Sequence, residues 1–489
     1  MNSPYPYWMV GSGDNAWQLT AATLVGLMSI PALAVLYGGL VQKKWIMNTM
    51  MMVFCTFCLV LLTWVLWAYK MGFGDPMFHT GTAIWNNFIG DPRTILGAQA
   101  ETGQASIPLV NAGMPNALYP KGTGFNMPGA SIEYFQFVFA AITPILFIGS
   151  VLGRISFKVW LIFVPLWITF AYAVNAFLLW GGGYWAQKGA LDFSGGYVIH
   201  LAAGTSGFVA AAIVGPRLKK DREKAIPSNL MMVAVGAGIL WLGWNGFNGG
   251  DPYYASTDAA AAVINTNLAT ATAMMVWILW DWFFSSEKKP TFLGGLNGMI
   301  CGLVGITPAA GYVNGLGAII IGVVATSIVW VAWYTLPKYV WPFNKVDDAL
   351  GVVYTHGIAG LVGGLLVGVL ADPNMILYYG PHGGTTGAFS GAGWIWGHHP
   401  KEVLIQLEAG LTIIIWDAIV TAVILYFIKY VLRIKLRLPD EALEIGDVAV
   451  HGEEAFPEGA FMSSVAEAES SPSTEQPHRG DPVSATAEE

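Results

Sequence analysis

Charge is scarce in this 489-residue chain: Asp, Glu, Lys and Arg together make up 11%, against 55% hydrophobic residues. The mean hydropathy is +0.54. A soluble domain usually carries about 25% charged residues, so the composition argues against a water-soluble protein. The formal charge of −8 is misleading, because residues 433–489 hold four Lys/Arg against thirteen Asp/Glu, which leaves residues 1–432 at −8 + 9 = +1. No basic surface for nucleic acid is available. Cysteine is nearly absent: three residues give no disulfide framework. Cys55 and Cys58 form a C-x-x-C, but inside the apolar run 47–69, where they read as small packing residues rather than a redox centre. No Lys or Arg precedes Lys43, so a basic signal-peptide n-region is missing. The H-E-x-x-H, G-x-x-x-x-G-K-[ST] and G-x-S-x-G patterns are missing too. His382, His398 and His399 sit in a polar loop without acid or thiolate partners and read as solvated. No enzyme site, cofactor or metal is expected.

Long apolar runs are abundant. A run of about 20 apolar residues spans a hydrocarbon core of roughly 30 Å, and eleven such spans can be placed: 17–40, 47–69, 131–152, 159–180, 194–215, 228–249, 259–282, 292–310, 315–335, 349–371 and 403–432. An all-α polytopic membrane protein is therefore expected, with a membrane domain over 1–432 and a tail over 433–489. Within the tail, 457–489 is rich in Ser, Pro, Ala and Glu and reads as disordered. With the N-terminus outside, seventeen basic residues fall on the cytoplasmic side and five outside, which puts the C-terminus in the cytoplasm.

One pattern occurs twice. Asp192-x7-His200-x3-Gly204-x2-Gly207 matches Asp348-x7-His356-x3-Gly360-x2-Gly363. Each Asp reads as a helix N-cap. Each His then lies about 12 Å into an apolar helix, where an ionisable group is costly unless it faces a partner or a cavity. Five spans precede the first half's end (about 17–215) and five more fill the second (about 228–371). An odd number inverts the second half relative to the first, with 403–432 as a peripheral eleventh helix. The inversion brings His200 and His356 to within about 6 Å of the same level in a core of roughly 30 Å. Three readings remain for the pair: a structural contact, axial ligation of a haem or other metal, or a narrow conduction path lined by imidazoles. The Gly/Ala surroundings favour close helix packing over room for a porphyrin, and so the conduction path.

From about residue 17 to residue 456 the chain resembles the ammonium transporter family (Amt/Mep/Rh). The resemblance rests on Asp192-Phe-Ser-Gly-Gly-Tyr-Val-Ile-His200 with Arg217 beyond its helix, on His356, on Gly305-Ile-Thr307-Pro308-Ala, and on Asp447-x3-His451-Gly-Glu-Glu-Ala-Phe456. It implies a homotrimer with one pore per subunit that takes up ammonium. By alignment it implies that Trp180 is an outer-site tryptophan, that Phe139 and Phe247 are gate phenylalanines, and that His200 and His356 are a twin-histidine pair. Asp192 and Asp348 would act structurally and electrostatically. Many members have a serine where this chain has Asp251, and a carboxylate there should recruit a cation more strongly. The tail carries Ile445-Gly446-Asp447 in place of the family's Gly-Leu-Asp and Phe456 in place of its terminal Tyr. A PII-type regulator on the cytoplasmic face is a further implied partner. A sensor that binds ammonium without useful flux, or a bis-His haem protein, would be the alternatives.

Overall fold

A computed structural model describes residues 11–78, 86–105, 127–375 and 393–456. Among them every regular element is helical. Ten helices are long and apolar enough to cross a membrane: α1 (Ser12–Leu40), α2 (Lys43–Phe73), α3 (Gly129–Val151), α4 (Phe157–Lys188), α5 (Gly196–Val214), α6 (Leu230–Gly250), α7 (Thr257–Phe284), α9 (Gly315–Tyr339), α10 (Val353–Leu370) and α11 (Lys401–Val431). The shorter α8 (Phe292–Ile306) completes the eleven. Its 15 residues reach only about 22 Å at 1.5 Å per residue. The sequence reading ran it to 310, but the helix stops at the Thr307-Pro308 step, where Pro308 offers no N–H to continue it. The expected disorder of 457–489 and the loop position of His382 lie outside the described residues.

The burial pattern separates the helices by role. Nearly all of α3 is buried, from Gly129 to Val151, so it is a central helix with no lipid face. In α11, Gln406, Gly410, Ile413, Asp417 and Ile424 face inward. Leu404, Leu411, Ile415, Ile419 and Val423 are exposed, an apolar outer face suited to lipid on a peripheral helix.

Small residues set how closely α5 and α10 approach. A Cβ on Gly204 would lie 2.3 Å from the Gly357 backbone, and one on Gly360 would lie 2.6 Å from the Gly196 carbonyl. Both fall well inside van der Waals contact, so the backbones touch only because neither position carries a side chain. The contact sits at the level of the two histidines. Beside it, each helix begins with a widened π-turn, Gly196–Leu201 and Val353–Ile358. Such turns rotate side chains away from the ordinary α register and recur at functional positions.

Candidate functional site: a histidine pair beneath stacked aromatic rings

Each histidine helix is aimed by an aspartate that precedes it. The Asp192 carboxylate accepts N–H bonds from Tyr197 (3.1 Å) and Val198 (3.0 Å). The turn passes through Gly195 at φ +101°, a left-handed conformation that glycine adopts at little cost. Asp348 accepts from the Val353 N–H at 2.8 Å. Both carboxylates satisfy N–H groups that no earlier turn can reach, as the repeat predicts. Each keeps one buried oxygen, Oδ1, without a hydrogen-bond partner.

The histidines meet. His200 and His356 are buried, with their Nδ1 atoms 3.2 Å apart. Their ring centroids are 5.4 Å apart and the planes differ by 22°. At this distance one Nδ1 carries the proton and the other accepts it, so the neutral pair forms a single hydrogen bond. His200 Nε2 is buried and has no hydrogen-bond partner. No cluster of three or more His, Cys, Asp or Glu side chains able to hold a metal occurs among the described residues.

The stacked rings lie on the Asp192 side of this pair. Phe139 from α3 and Phe247 from α6 stack at 4.2 Å with planes 17° apart. Phe247 lies 5.9 Å from the His200 ring. Trp180 meets Phe139 edge-on at 6.3 Å and donates its Nε1–H to the Asp192 carbonyl at 2.7 Å. The tryptophan, the two phenylalanines and the histidines therefore form one continuous series of ring contacts. Asp251 is buried at the end of α6, with Ser194 beside it and Oδ2 unpartnered. By sequence this carboxylate reads as a recruiting charge; its burial is the structural fact that bears on that role.

Sequence reasoning missed Trp244. It stacks on His200 at 5.3 Å with planes 16° apart and is tethered by its Nε1–H to Thr307 at 2.9 Å. A signal was available: Trp244 is three residues before Phe247, on the same face of α6. Tyr172 and the Asn175–Asp417 pair were missed as well. Asn175 donates to both Asp417 oxygens, at 3.0 and 2.9 Å, joining α4 to α11 inside the apolar layer.

The Asp348 side is organised differently. A cavity of about 520 Å³ opens there, with Arg217, Asp347, Asp348, Leu350 and Tyr354 in its lining. Arg217 holds Asp347 through an ion pair of 2.7 Å. The buried Arg154 guanidinium donates to the backbone carbonyls of Gly215 and Asp347, pinning together the ends of α3, α5 and the approach to α10. The tail docks on the same face: Asp447 accepts the Met47 and Asn48 N–H groups at 2.7 and 2.8 Å, and Lys44 donates to the Leu443 carbonyl at 2.8 Å.

Eleven helices in an inverted repeat, with a histidine from each half meeting under an aromatic stack, define the transporter class outlined above. The Ammonium Transporter Family model matches residues 16–456. Ammonium transporter 3 member 2 of Oryza sativa is 47% identical over 91% of this chain and 90% of its own length. Ammonium transporter 2 of Arabidopsis thaliana is 46% identical over 92% and 89%. The crystal structure of Saccharomyces cerevisiae Mep2 superposes with a TM-score of 0.73 at 28% identity, covering 88% of this chain and 89% of that one. A sensor Amt protein superposes at 0.70 but at 22% identity, covering 90% and 98%, and so shares the fold alone. This chain belongs to the ammonium transporter family.

Proposed function

We propose that the chain takes up ammonium across the cell membrane by passing ammonia along the ring series. In this reading residues 1–432 form the membrane domain and 433–489 a cytoplasmic tail, with the N-terminus outside and three subunits each carrying one pore. Trp180 and Phe139 present aromatic faces to an arriving cation, and cation–π attraction contributes about 1–2 kcal/mol once the ion is partly desolvated. Asp192 and Asp251 add a negative potential behind them. The stacked Phe139–Phe247 pair is a dry constriction, where a charged ammonium is penalised and neutral ammonia much less so. Ammonium gives up its proton at the aromatic entrance, either to the outer solution or to a separate path that carries it across as current, and ammonia moves on to the imidazoles, which donate and accept hydrogen bonds in turn.

The observation that carries the reading is the 3.2 Å contact between His200 Nδ1 and His356 Nδ1 directly beneath the ring stack. A stacked aromatic layer above a buried hydrogen-bonding pair suits a small neutral solute. The test is current and pH recording on proteoliposomes of the full chain in an ammonium gradient. Ammonium-dependent uptake that falls in His200→Ala and His356→Ala supports the pore. Binding of ammonium without uptake by the wild-type protein would make the chain a sensor and overturn the proposal. The tail docked on α2 is the surface that a PII-type regulator would meet on the cytoplasmic face.

A further inference from the structure

A side chain from the peripheral helix joins the approach to one histidine helix to the body of the other. We propose that this residue, Gln406 of α11, is a positioning residue for the histidine pair, one of two matched clamps that fix α5 lengthwise against α10. Gln406 is fully buried. Its Oε1 accepts the Leu191 N–H at 2.7 Å, and its Nε2 donates to the Leu191 carbonyl at 2.7 Å and to the Gly364 carbonyl at 2.9 Å. Leu191 precedes the Asp192 cap, and Gly364 lies in the second half of α10. The counterpart stands at the opposite end. Asp347 precedes the Asp348 cap as Leu191 precedes Asp192, and its carbonyl accepts from the buried Arg154 guanidinium. Arg154 also donates to the Gly215 carbonyl at 2.8 Å, just past the end of α5. Each clamp therefore joins the peptide before one cap to the far part of the other helix.

The two helices run antiparallel, Gly196 against Gly360 and Gly204 against Gly357, so the clamps sit at opposite ends with the histidine contact between them. Neither clamp belongs to the duplicated pattern: Arg154 follows α3, and Gln406 comes from α11. Packing alone would not keep a glutamine at this position. A buried amide is costly unless its polar atoms are paired, and an apolar side chain of similar volume fills the space without that cost. Gln406 spends its acceptor and both amide hydrogens on backbone. The turn it holds is pinned from other sides as well. Trp180 donates to the Asp192 carbonyl at 2.7 Å, and the Phe193 and Ser194 N–H groups donate to the Pro308 and Thr307 carbonyls, both at 3.1 Å. Through this turn the place of Gln406 sets that of His200, and supporting groups of this kind keep working side chains within about 0.5 Å of their productive geometry.

The flux part of this inference rests on the transport reading, whereas the contact itself does not, so the test measures both. The full chain, carrying isotope-labelled histidine, is reconstituted in proteoliposomes, and solid-state NMR follows the proton shared by the two Nδ1 atoms, assigned by its loss in His356→Ala. In Gln406→Met, similar in volume but without donors, the shared-proton signal should be lost. Ammonium uptake at saturating concentration should fall by about tenfold, as expected for one unsatisfied buried group. The half-saturating concentration should stay within about twofold of wild type, because the recruiting rings are untouched. Gln406→Glu keeps the acceptor for Leu191 and should lie between the two. Asn175→Ala removes the contact of α4 with Asp417 of α11 without touching Leu191 or Gly364, and it should keep the wild-type signal. A wild-type signal in Gln406→Met that elutes on size exclusion as the wild type does would overturn the proposal. So would an equal loss in Asn175→Ala, which would mean that any loosening of α11 is enough. If Gln406→Met does not assemble, Gln406→Glu is judged by the same two criteria. A lost signal with wild-type uptake would support the clamp and count against the transport reading of the pair.

Discussion

The pore's two ends start from the same helix and are covered by different chemistry. At the Asp192 end the turn into α5 lies under Trp180, Phe139 and Phe247, a layer of rings in contact with one another. At the Asp348 end the corresponding turn into α10 opens onto about 520 Å³ of space beside Asp347 and Arg217, and the tail docks nearby. Inversion duplicated the device that carries a buried histidine, an aspartate cap feeding a π-turn. It did not duplicate the cover. In the function proposed above, selection against the ion belongs to the ring-covered end, and the other end serves as the exit.

Replacing either histidine should have the largest effect, because the pair is a buried hydrogen bond to which each half supplies one partner. Removing one partner leaves a buried ring nitrogen unsatisfied, a loss of about 1–3 kcal/mol. Ammonium flux in proteoliposomes should fall by roughly tenfold or more in both His200→Ala and His356→Ala. Wild-type flux in both would reduce the pair to packing. His200→Asp should instead restore current while admitting potassium, since a fixed carboxylate no longer obliges the solute to leave its proton behind. Equal ammonium selectivity in that variant would locate the filter wholly in the rings.

Next in size is the glycine contact. A Cβ at Gly204 would lie 2.3 Å from backbone, whereas one at Gly357 would meet nothing nearer than 3.2 Å. Overpacking of this kind costs about 1–3 kcal/mol, so Gly204→Ala should lower the melting temperature of purified protein clearly more than Gly357→Ala. The reverse order would mean that the helices approach each other differently.

How much of this could be read from the residues follows from what each signal depends on. The apolar helices and the meeting of His200 with His356 depend on hydrophobic length and on a repeat printed twice in the chain, and the structure has eleven such helices, ten of them long enough to span, and the histidine contact. Trp244 on His200 and Asn175 on Asp417 depend on which faces of two remote helices turn towards each other. In a chain with 21 Trp, 19 Tyr and 25 Phe, no spacing singles out the ring that stacks. Phe139 was selected by resemblance, not by periodicity. Asp251 illustrates the opposite limit: its position at the end of α6 was legible, but its burial depends on its neighbours.

That burial sharpens a third, smaller prediction. Asp251→Ser should weaken apparent ammonium affinity by removing negative potential at the ring-covered end. Screening by salt is strong for exposed charges and much weaker for buried ones. The ratio between wild-type and variant affinities should therefore change little between low and high ionic strength. A ratio that collapses in high salt would put the carboxylate in open solvent, contrary to its burial.

The smallest effect belongs to the tail end, where the ring-covered end has no counterpart. Burial pushes the Asp447 carboxyl up to about 6, opposed by the amide donors of Asn48 and Met47. The docked tail therefore binds a proton more readily than the free tail, whose carboxyl ionises near its ordinary 3.8. Docking is then favoured most fully below about 3.8, and the advantage is lost as pH rises through about 6, with little further change above that. The readout is amide exchange over 440–451, corrected for the intrinsic rate at each pH. Protection should be greater at pH 5 than at pH 7.5 in the wild type and should lose that dependence in Asp447→Asn, which cannot ionise. The amides of 139–147 in α3, beside the rings, should be indifferent across the same interval. A matching pH response there would mean that the two ends loosen together, so that the tail latch is not a separate device of its own end. A pH response that survives in Asp447→Asn would move the titrating group to another residue, with His451 the first to examine, since it contacts Asn48 at 3.0 Å.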